Sequence, residues 1–276
     1  MKKLQLSFLA AAMFMFMSAD AQYVRLGFGY HGNSVSTSSG STMTLTATSS
    51  TQTAVNLSSG KGIPVTGAFG MDIMDNVGFE FGLNFLMGSN QTAIDADLQV
   101  LNSSTVVTTQ SSQLRVTPSL VLHTDNDGMN MYSRFGVIVP VSGTTTLTRE
   151  ETTALGTTTT EMESSGNPSL GWTGAFGVSF SAGSALNIFA EVEGINLAIG
   201  NKSREVVSID GPAGTPTLDQ LPASVKTTNF HDELTEASNV EGTANFDPTK
   251  ASDELTSKSS FSSFGFNLGI IWVIGG

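Results

Sequence analysis

Residues 77–88 read VGFEFGLNFLMG, in which Val77, Phe79, Phe81, Leu83, Phe85 and Met87 alternate with Gly78, Glu80, Gly82 and Asn84, with Leu86 the exception. Successive side chains of a β-strand point to opposite faces. This strand therefore has one oily face and one face of glycine, a carboxylate and an amide. In a soluble sandwich the oily face is core. In a transmembrane barrel it meets lipid, the other face lines the lumen, and about ten tilted residues cross the hydrocarbon. The alternation alone is compatible with both.

Seven further segments repeat the pattern. Residues 23–31 place Val24, Leu26, Phe28 and Tyr30 on one face, and 63–71 place Val65, Gly67, Phe69 and Met71 there. The same holds for 112–122 (Leu114, Val116, Pro118, Leu120, Leu122), 130–141 (Met131 to Val141), 169–180 (Leu170 to Phe180), 186–196 (Leu186, Ile188, Ala190, Val192) and 261–274 (Phe264 to Ile274). Their connections alternate strictly. Long polar stretches at 32–62, 89–111, 142–168 and 197–260 are interleaved with short turns at 72–76, 123–128 and 181–185, and HTDNDG at 123–128 carries Asp-Gly turn chemistry. A sandwich has no reason to sort its connections by length, and structureless loops this long are foreign to compact soluble domains. The pattern predicts an all-β fold: an eight-stranded antiparallel up-and-down transmembrane β-barrel with short periplasmic turns and long extracellular loops. The long stretches show neither helical period nor sustained alternation and read as loops. Thr-rich runs at 144–148 and 157–160 favour extended backbone, either lengthening the strands past the membrane or remaining mobile.

Charge sharpens the picture. No oily-face position is charged, whereas a Lys or Arg at the bilayer midplane costs roughly 2–4 kcal/mol. The charges that fall within strands, Arg25, Glu80, Arg115, Arg134, Glu191 and Glu193, all sit at the opposite parity. Three arginines and three glutamates balance and read as a paired network in the barrel lumen. An eight-stranded lumen is just wide enough to be filled by side chains, so this reading predicts little conductance. Tyr30 and Trp172 fall near the loop ends of their strands and Trp272 near a turn end, where interfacial aromatics belong. Pro118 lacks a ladder donor and predicts a bulge.

Charged residues make up 13% of the 276, against roughly 25% in ordinary soluble domains, while 39% hydrophobic is too little for a bundle of membrane helices. Twenty-nine glycines and abundant Ser/Thr suit half-oily strands. The chain has no cysteine, which removes disulfides, thiolate metal sites and lipid attachment through sulfur. Lys2 and Lys3, an apolar stretch at 4–17 and Ala19-Asp20-Ala21 have the form of a cleaved secretory leader over 1–21, leaving 22–276 as one barrel domain. The formal charge of −12 argues against nucleic acid as a partner.

The segments VGFEFGLNFLMG, NMYSRFGVIVPVSG, GWTGAFGVSF and FGFNLGIIWVIGG, behind the ADAQ junction at 19–22, resemble the small outer-membrane β-barrel family of Gram-negative bacteria, the OmpA/OmpX-like barrels. The resemblance covers the strands, somewhat under half the chain. It implies residence in the cell outer membrane and contact with outer-membrane lipid, lipopolysaccharide and the barrel assembly machinery. Members of that family commonly end on an aromatic residue, where this sequence reads Ile274-Gly275-Gly276.

The resemblance also admits catalysis, because the same family of barrels includes lipid- and protein-cleaving enzymes. Nucleophilic catalysis needs a base oriented by a third group. Of three histidines, His31 lies at the outer end of its strand, where such a base would stand, but spacing ties no Ser or Asp to it. His123 belongs to a turn. His231-Asp232-Glu233 lies in the longest, acidic loop and has the composition of a metal site, but a solvated acidic loop is the favoured reading. Asp125 and Asp127 before Gly128 resemble half of a calcium loop, without its later Glu. No phosphate-cradling glycine motif occurs, and no cofactor is implied. The reading favours a non-enzymatic envelope or surface-interaction protein, with an extracellular ligand taken through the Ser/Thr-rich loops. The alternatives are an enzyme with its site at the barrel mouth and a secreted sandwich adhesin.

Overall fold

The computed structural model describes residues 22–34, 38–124 and 128–275. The leader at 1–21 and the Asp125/Asp127 turn of the sequence reading lie outside the described residues.

Eight strands close into one antiparallel barrel: β1 (Gln22–Asn33), β2 (Gly62–Met74), β3 (Val77–Gly88), β4 (Ser103–His123), β5 (Met129–Thr153), β6 (Gly171–Ser181), β7 (Leu186–Asn196) and β8 (Ser263–Gly275). Each pairs with its neighbour in chain order, and β8 returns to β1 with Leu26 opposite Ile270. Closure leaves no unpaired edge in the barrel wall, which is what a sheet in hydrocarbon requires. The short connections gather at one end and the long ones at the other. At the turn end Ala182 donates its N–H to Leu186 (2.8 Å), and Gly128 takes a φ of 89° that a side chain would strain.

The wall is inside out relative to a soluble protein. Phe28, Phe135, Phe176 and Phe266 project outward, and Phe28 keeps 60% of its surface exposed while Arg25, three positions away, keeps 4%. The oily faces of the eight strands do not pack on one another, so the sandwich is excluded. Trp172 and Trp272 also face outward, near the loop end and the turn end respectively. Leu86, the exception in the alternation, points inward and is fully buried.

The long connections depart from the loops read from the sequence. β4 and β5 run on past the barrel to Ser103 and Thr153, pairing from Ser112–Thr144 up to Ser104–Thr152. Ser38–Leu45 and Ser50–Asn56 form a hairpin, and Ser38–Leu45 runs parallel to Gln91–Leu98, which pairs with β4. On the other flank Gly156–Gly166 pairs with β5, and Ala198–Asp210 pairs with Gly156–Gly166. Beyond them Thr227–His231 and Ser252–Leu255 extend the same sheet, while Lys258–Ser260 pairs with Ala198–Gly200. Threonine favours extended backbone, but these strands are mostly polar on both faces, with only scattered buried apolar positions such as Val107 and Ile199, so no oily alternation marks them.

One expected irregularity moves. Pro118 stays in register opposite Phe81, and the β4–β5 register is the same at Val116 and Ser119. The register shift lies instead at Leu114/Arg115, where Val141 is the extra residue and Pro140 stands opposite Arg115. Proline cannot donate to the ladder, and here the ladder yields beside Pro140.

Candidate functional site

Two regions could carry function: the lumen and the chamber above it at the loop end. Lumen-facing side chains come from alternate positions of every strand, so residues far apart in sequence meet across a narrow interior.

Five of the six strand charges form one cluster. Arg25 on β1 reaches Glu80 on β3 at 3.3 Å and is also bonded to Glu191 on β7. Arg134 on β5 lies 2.8 Å from Glu191, 3.4 Å from Glu193 and 3.7 Å from Glu80. Arg115 is buried in the lumen but makes no ion pair among the described residues. Its Nε donates to Gln113, and its Nη2 has no hydrogen-bond partner among them. The balanced three-and-three pairing expected from the sequence is therefore corrected. Two arginines hold three glutamates, and Arg115 turns instead to Gln113, two residues away on the same face of its own strand.

Neutral groups complete the cluster. Tyr23 donates to Glu80 (3.0 Å) and Tyr132 to Glu191 (3.1 Å), while Asn267 donates to both Glu191 (2.9 Å) and Glu193 (2.8 Å). Thr173 donates to Glu193 at 2.7 Å. A cavity of about 30 Å³ remains between Arg25, Glu80, Asn84, Arg134 and Glu193, room for one water molecule. Such a buried cluster is held together by satisfying every carboxylate oxygen; removing one partner strands a charge.

Apolar side chains stand at both ends of the charged layer. Toward the turn end Phe189, Tyr132 and Val121 pack with Ile271, and toward the loop end Ile138, Ile195, Leu197, Ile199 and Phe261 form a second cluster. Sequence reading missed both. Leu197 and Phe261 lie outside the barrel strands, and it is the bond from the Phe261 N–H to the Leu197 carbonyl (2.8 Å) that joins them over the mouth.

His31 meets partners that spacing could not reveal. Its Nδ1 lies 3.2 Å from Ser263 Oγ, and its Nε2 lies 3.2 Å from Asn267 Oδ1 and 3.6 Å from Glu193. Serine, histidine and carboxylate thus stand in sequence as in a hydrolytic triad. All three are buried in the wall below the upper apolar cluster, and Glu193 is committed to Arg134, Thr173 and Asn267. His123 pairs with Asp72 at 3.1 Å in the turn region.

In the longest loop His231 pairs not with Asp232 and Glu233 but with Asp253 (2.9 Å). Asp253 also accepts the Asn239 backbone N–H at 2.7 Å, and that bond, with the His231 contact, holds its carboxyl below the usual carboxylate range. Asn239 donates its amide to the carbonyls of Asp247, Lys250 and Ala251, and Thr249 holds the Asp247 carboxyl low in the same way. Among the described residues no group of three or more His, Asp or Glu is placed to hold a metal ion.

Above the upper apolar cluster, the extended strands enclose a chamber of about 820 Å³, walled by 140–147, 164–168, 198–204 and 257–261.

No family model matches the chain, and no curated protein does. Among solved structures it is similar to CarO2 of Acinetobacter baumannii, with a TM-score of 0.38 and 12% identity over 93% of this chain and 99% of that one. It is also similar to CarO of the same organism, with a TM-score of 0.37 and 13% identity over 93% and 98%. At these values nothing about ligand or activity passes from those proteins to this chain.

Proposed function

We propose that the protein is an integral outer-membrane β-barrel with a non-enzymatic structural or surface-interaction role and a lumen closed to solutes. The observation that carries this reading is the inversion of the wall: an oily band outside a closed barrel, around a charged interior. A water-soluble protein gains nothing from exposing phenylalanines on β1, β3, β5, β6 and β8, whereas lipid rewards it. The short connections would then face the periplasm and the long ones the exterior. The ion-paired layer between two apolar clusters supports closure, since hydrophobic constrictions exclude water and ions.

Cell fractionation with gels of heated and unheated samples tests the barrel. The expected result is an outer-membrane protein that migrates as a compact species until boiled. Recovery in the soluble fraction with no effect of boiling would overturn the reading.

The Ser263–His31–Glu193 alignment favours a second reading, an outer-membrane hydrolase. Burial argues against it, because no substrate reaches Ser263 while the upper cluster stands. A fluorophosphonate probe should leave intact protein unlabelled; labelling lost in Ser263→Ala would reverse that preference.

A further inference from the structure

The loop-end chamber has a composition that the rest of the chain does not share. The sequence carries 24 acidic and 12 basic side chains. Among the described residues the chamber is lined by Lys202, Arg204 and Lys258 and by no Asp or Glu. Lys258, on the short strand Lys258–Ser260, pairs with Gly200 of Ala198–Asp210, which sets it diagonally beside Lys202. Neither lysine forms an ion pair among the described residues, whereas Arg204 is already shared with Glu254 (3.3 Å) and Thr228 (3.5 Å) and lies over the Phe230 ring at 5.5 Å. Gathering like charges in a concave site costs self-repulsion and raises the local concentration of counter-ions. Such a cluster reads as one half of an interaction whose other half is anionic.

The remaining lining narrows the kind of anion. Hydroxyls such as Thr144, Ser165 and Ser259 recur along the walls, and the buried Ile199 and Phe261 close the floor with apolar surface. Hydroxyl-rich walls suit a polyhydroxylated ligand, and an apolar floor suits the CH face of a sugar ring. The volume falls in the range of roughly 300–1,000 Å³ typical of small-molecule sites. We propose that this chamber binds an acidic saccharide, its carboxylate or sulfate held by Lys202 and Lys258 and its hydroxyls met by the Ser and Thr side chains of the walls. The inference deepens the surface-interaction reading and rests on it for where the ligand comes from, not for whether it binds.

The test is calorimetric titration of the full-length mature protein in detergent micelles. The probes are trigalacturonate, a chondroitin sulfate disaccharide and sialyllactose, against maltotriose, lactose and inorganic phosphate. At least one acidic saccharide should bind more than about tenfold more tightly than every neutral sugar and than phosphate, a gap of about 1.4 kcal/mol, and should weaken as salt rises. Lys202→Gln combined with Lys258→Gln should reduce that affinity about tenfold, while Lys226→Gln, outside the chamber, should not. The heat shift on gels verifies that each variant is a folded barrel. Failure of all three acidic saccharides, equal binding of the neutral ones, or indifference to the lysine pair overturns the proposal. Phosphate binding as tightly as the best saccharide also overturns it, in favour of a plain anion site. Surface biotinylation of intact cells separates the two readings: labelling without saccharide binding removes this site alone, and binding without labelling removes the outward orientation alone.

Discussion

The guanidinium carbon of Arg25 lies 4.1 Å from the centroid of the Phe189 ring, where the charged layer of the lumen meets the apolar cluster of the turn end. The same guanidinium bonds Glu80 and Glu191. Replacing Arg25 with Met leaves both carboxylates short of a cation in a dry interior. The expected cost is roughly 3–5 kcal/mol, read as a lower temperature for the gel heat shift. Adding Glu191→Gln to Arg25→Met should recover part of that loss, because the stranded charge is what destabilises. Additive losses in the double variant would show that the two side chains do not interact.

Barrel closure depends on close backbone approach between β1 and β8. A Cβ on Gly269 would lie 2.0 Å from the Leu26 carbonyl oxygen and 2.6 Å from the Phe189 ring, whereas one on Gly67 meets nothing nearer than 3.5 Å. Gly269→Ala should therefore open the seam and lower refolding yield into micelles, and Gly67→Ala should refold like the parent. Equal yields for both would mean that the seam accommodates a methyl group.

The outward face of the barrel wall, which the proposed function sets against lipid, makes a sharp contrast with the surface beyond the barrel. Phe176 is 54% exposed midway along β6, and Leu155 is 87% exposed beyond the barrel. Phe176→Arg should cost roughly 2–4 kcal/mol in unfolding from phospholipid vesicles. Leu155→Arg should change stability by less than about 0.5 kcal/mol. A neutral Phe176→Arg would place that face in water.

On the proposed reading the ion-paired layer and the two apolar clusters close the lumen together, so removing one should not open it. In planar bilayers the parent protein should show no stable, porin-sized openings. Phe261→Ala with Leu197→Ala removes the upper cluster but leaves the ion-paired layer and Phe189, and should still be silent. Large openings in the parent would refute closure; openings in this variant alone would make the upper cluster the barrier.

Acid should loosen the longest loop before the barrel. The Asp253 carboxyl is held low by the Asn239 N–H and by His231, with Asn229 and the Arg204–Glu254 pair alongside. A depressed folded pKa contributes stability that is complete above the unfolded value of about 3.9 and is lost as pH falls through the folded value. The Asn239 amide resonance should therefore titrate with a midpoint below about 3.9 and should not titrate in Asp253→Asn. A midpoint at or above that value would mean that the bond to Asp253 does not persist in solution.

The number of barrel strands, the face each residue takes and the sorting of short from long connections were legible in the sequence. All three follow from the period of two and from turn chemistry, which are local. Val77 to Met87 needed no partner strand to declare its two faces. The strands beyond the barrel were not legible, because Ser38–Leu45 and Gly156–Gly166 are mostly polar on both faces and need no alternation to form.

Parity put Arg25, Glu80, Arg115, Arg134, Glu191 and Glu193 on one side of the wall, but it could not choose their partners. Arg25 meets Glu191 across 166 residues, His31 meets Ser263 across 232, and Leu197 is tied to Phe261 and Ser262 more than sixty residues further on. Arg115 drops out of the ion-paired set and bonds Gln113 on its own strand. Those choices depend on the stagger between strands around a closed ring, a property of the whole barrel that no single strand encodes. The sequence by itself determined which side of the wall each residue occupies. Only the tertiary structure decided which residues face one another across the lumen and at its mouth.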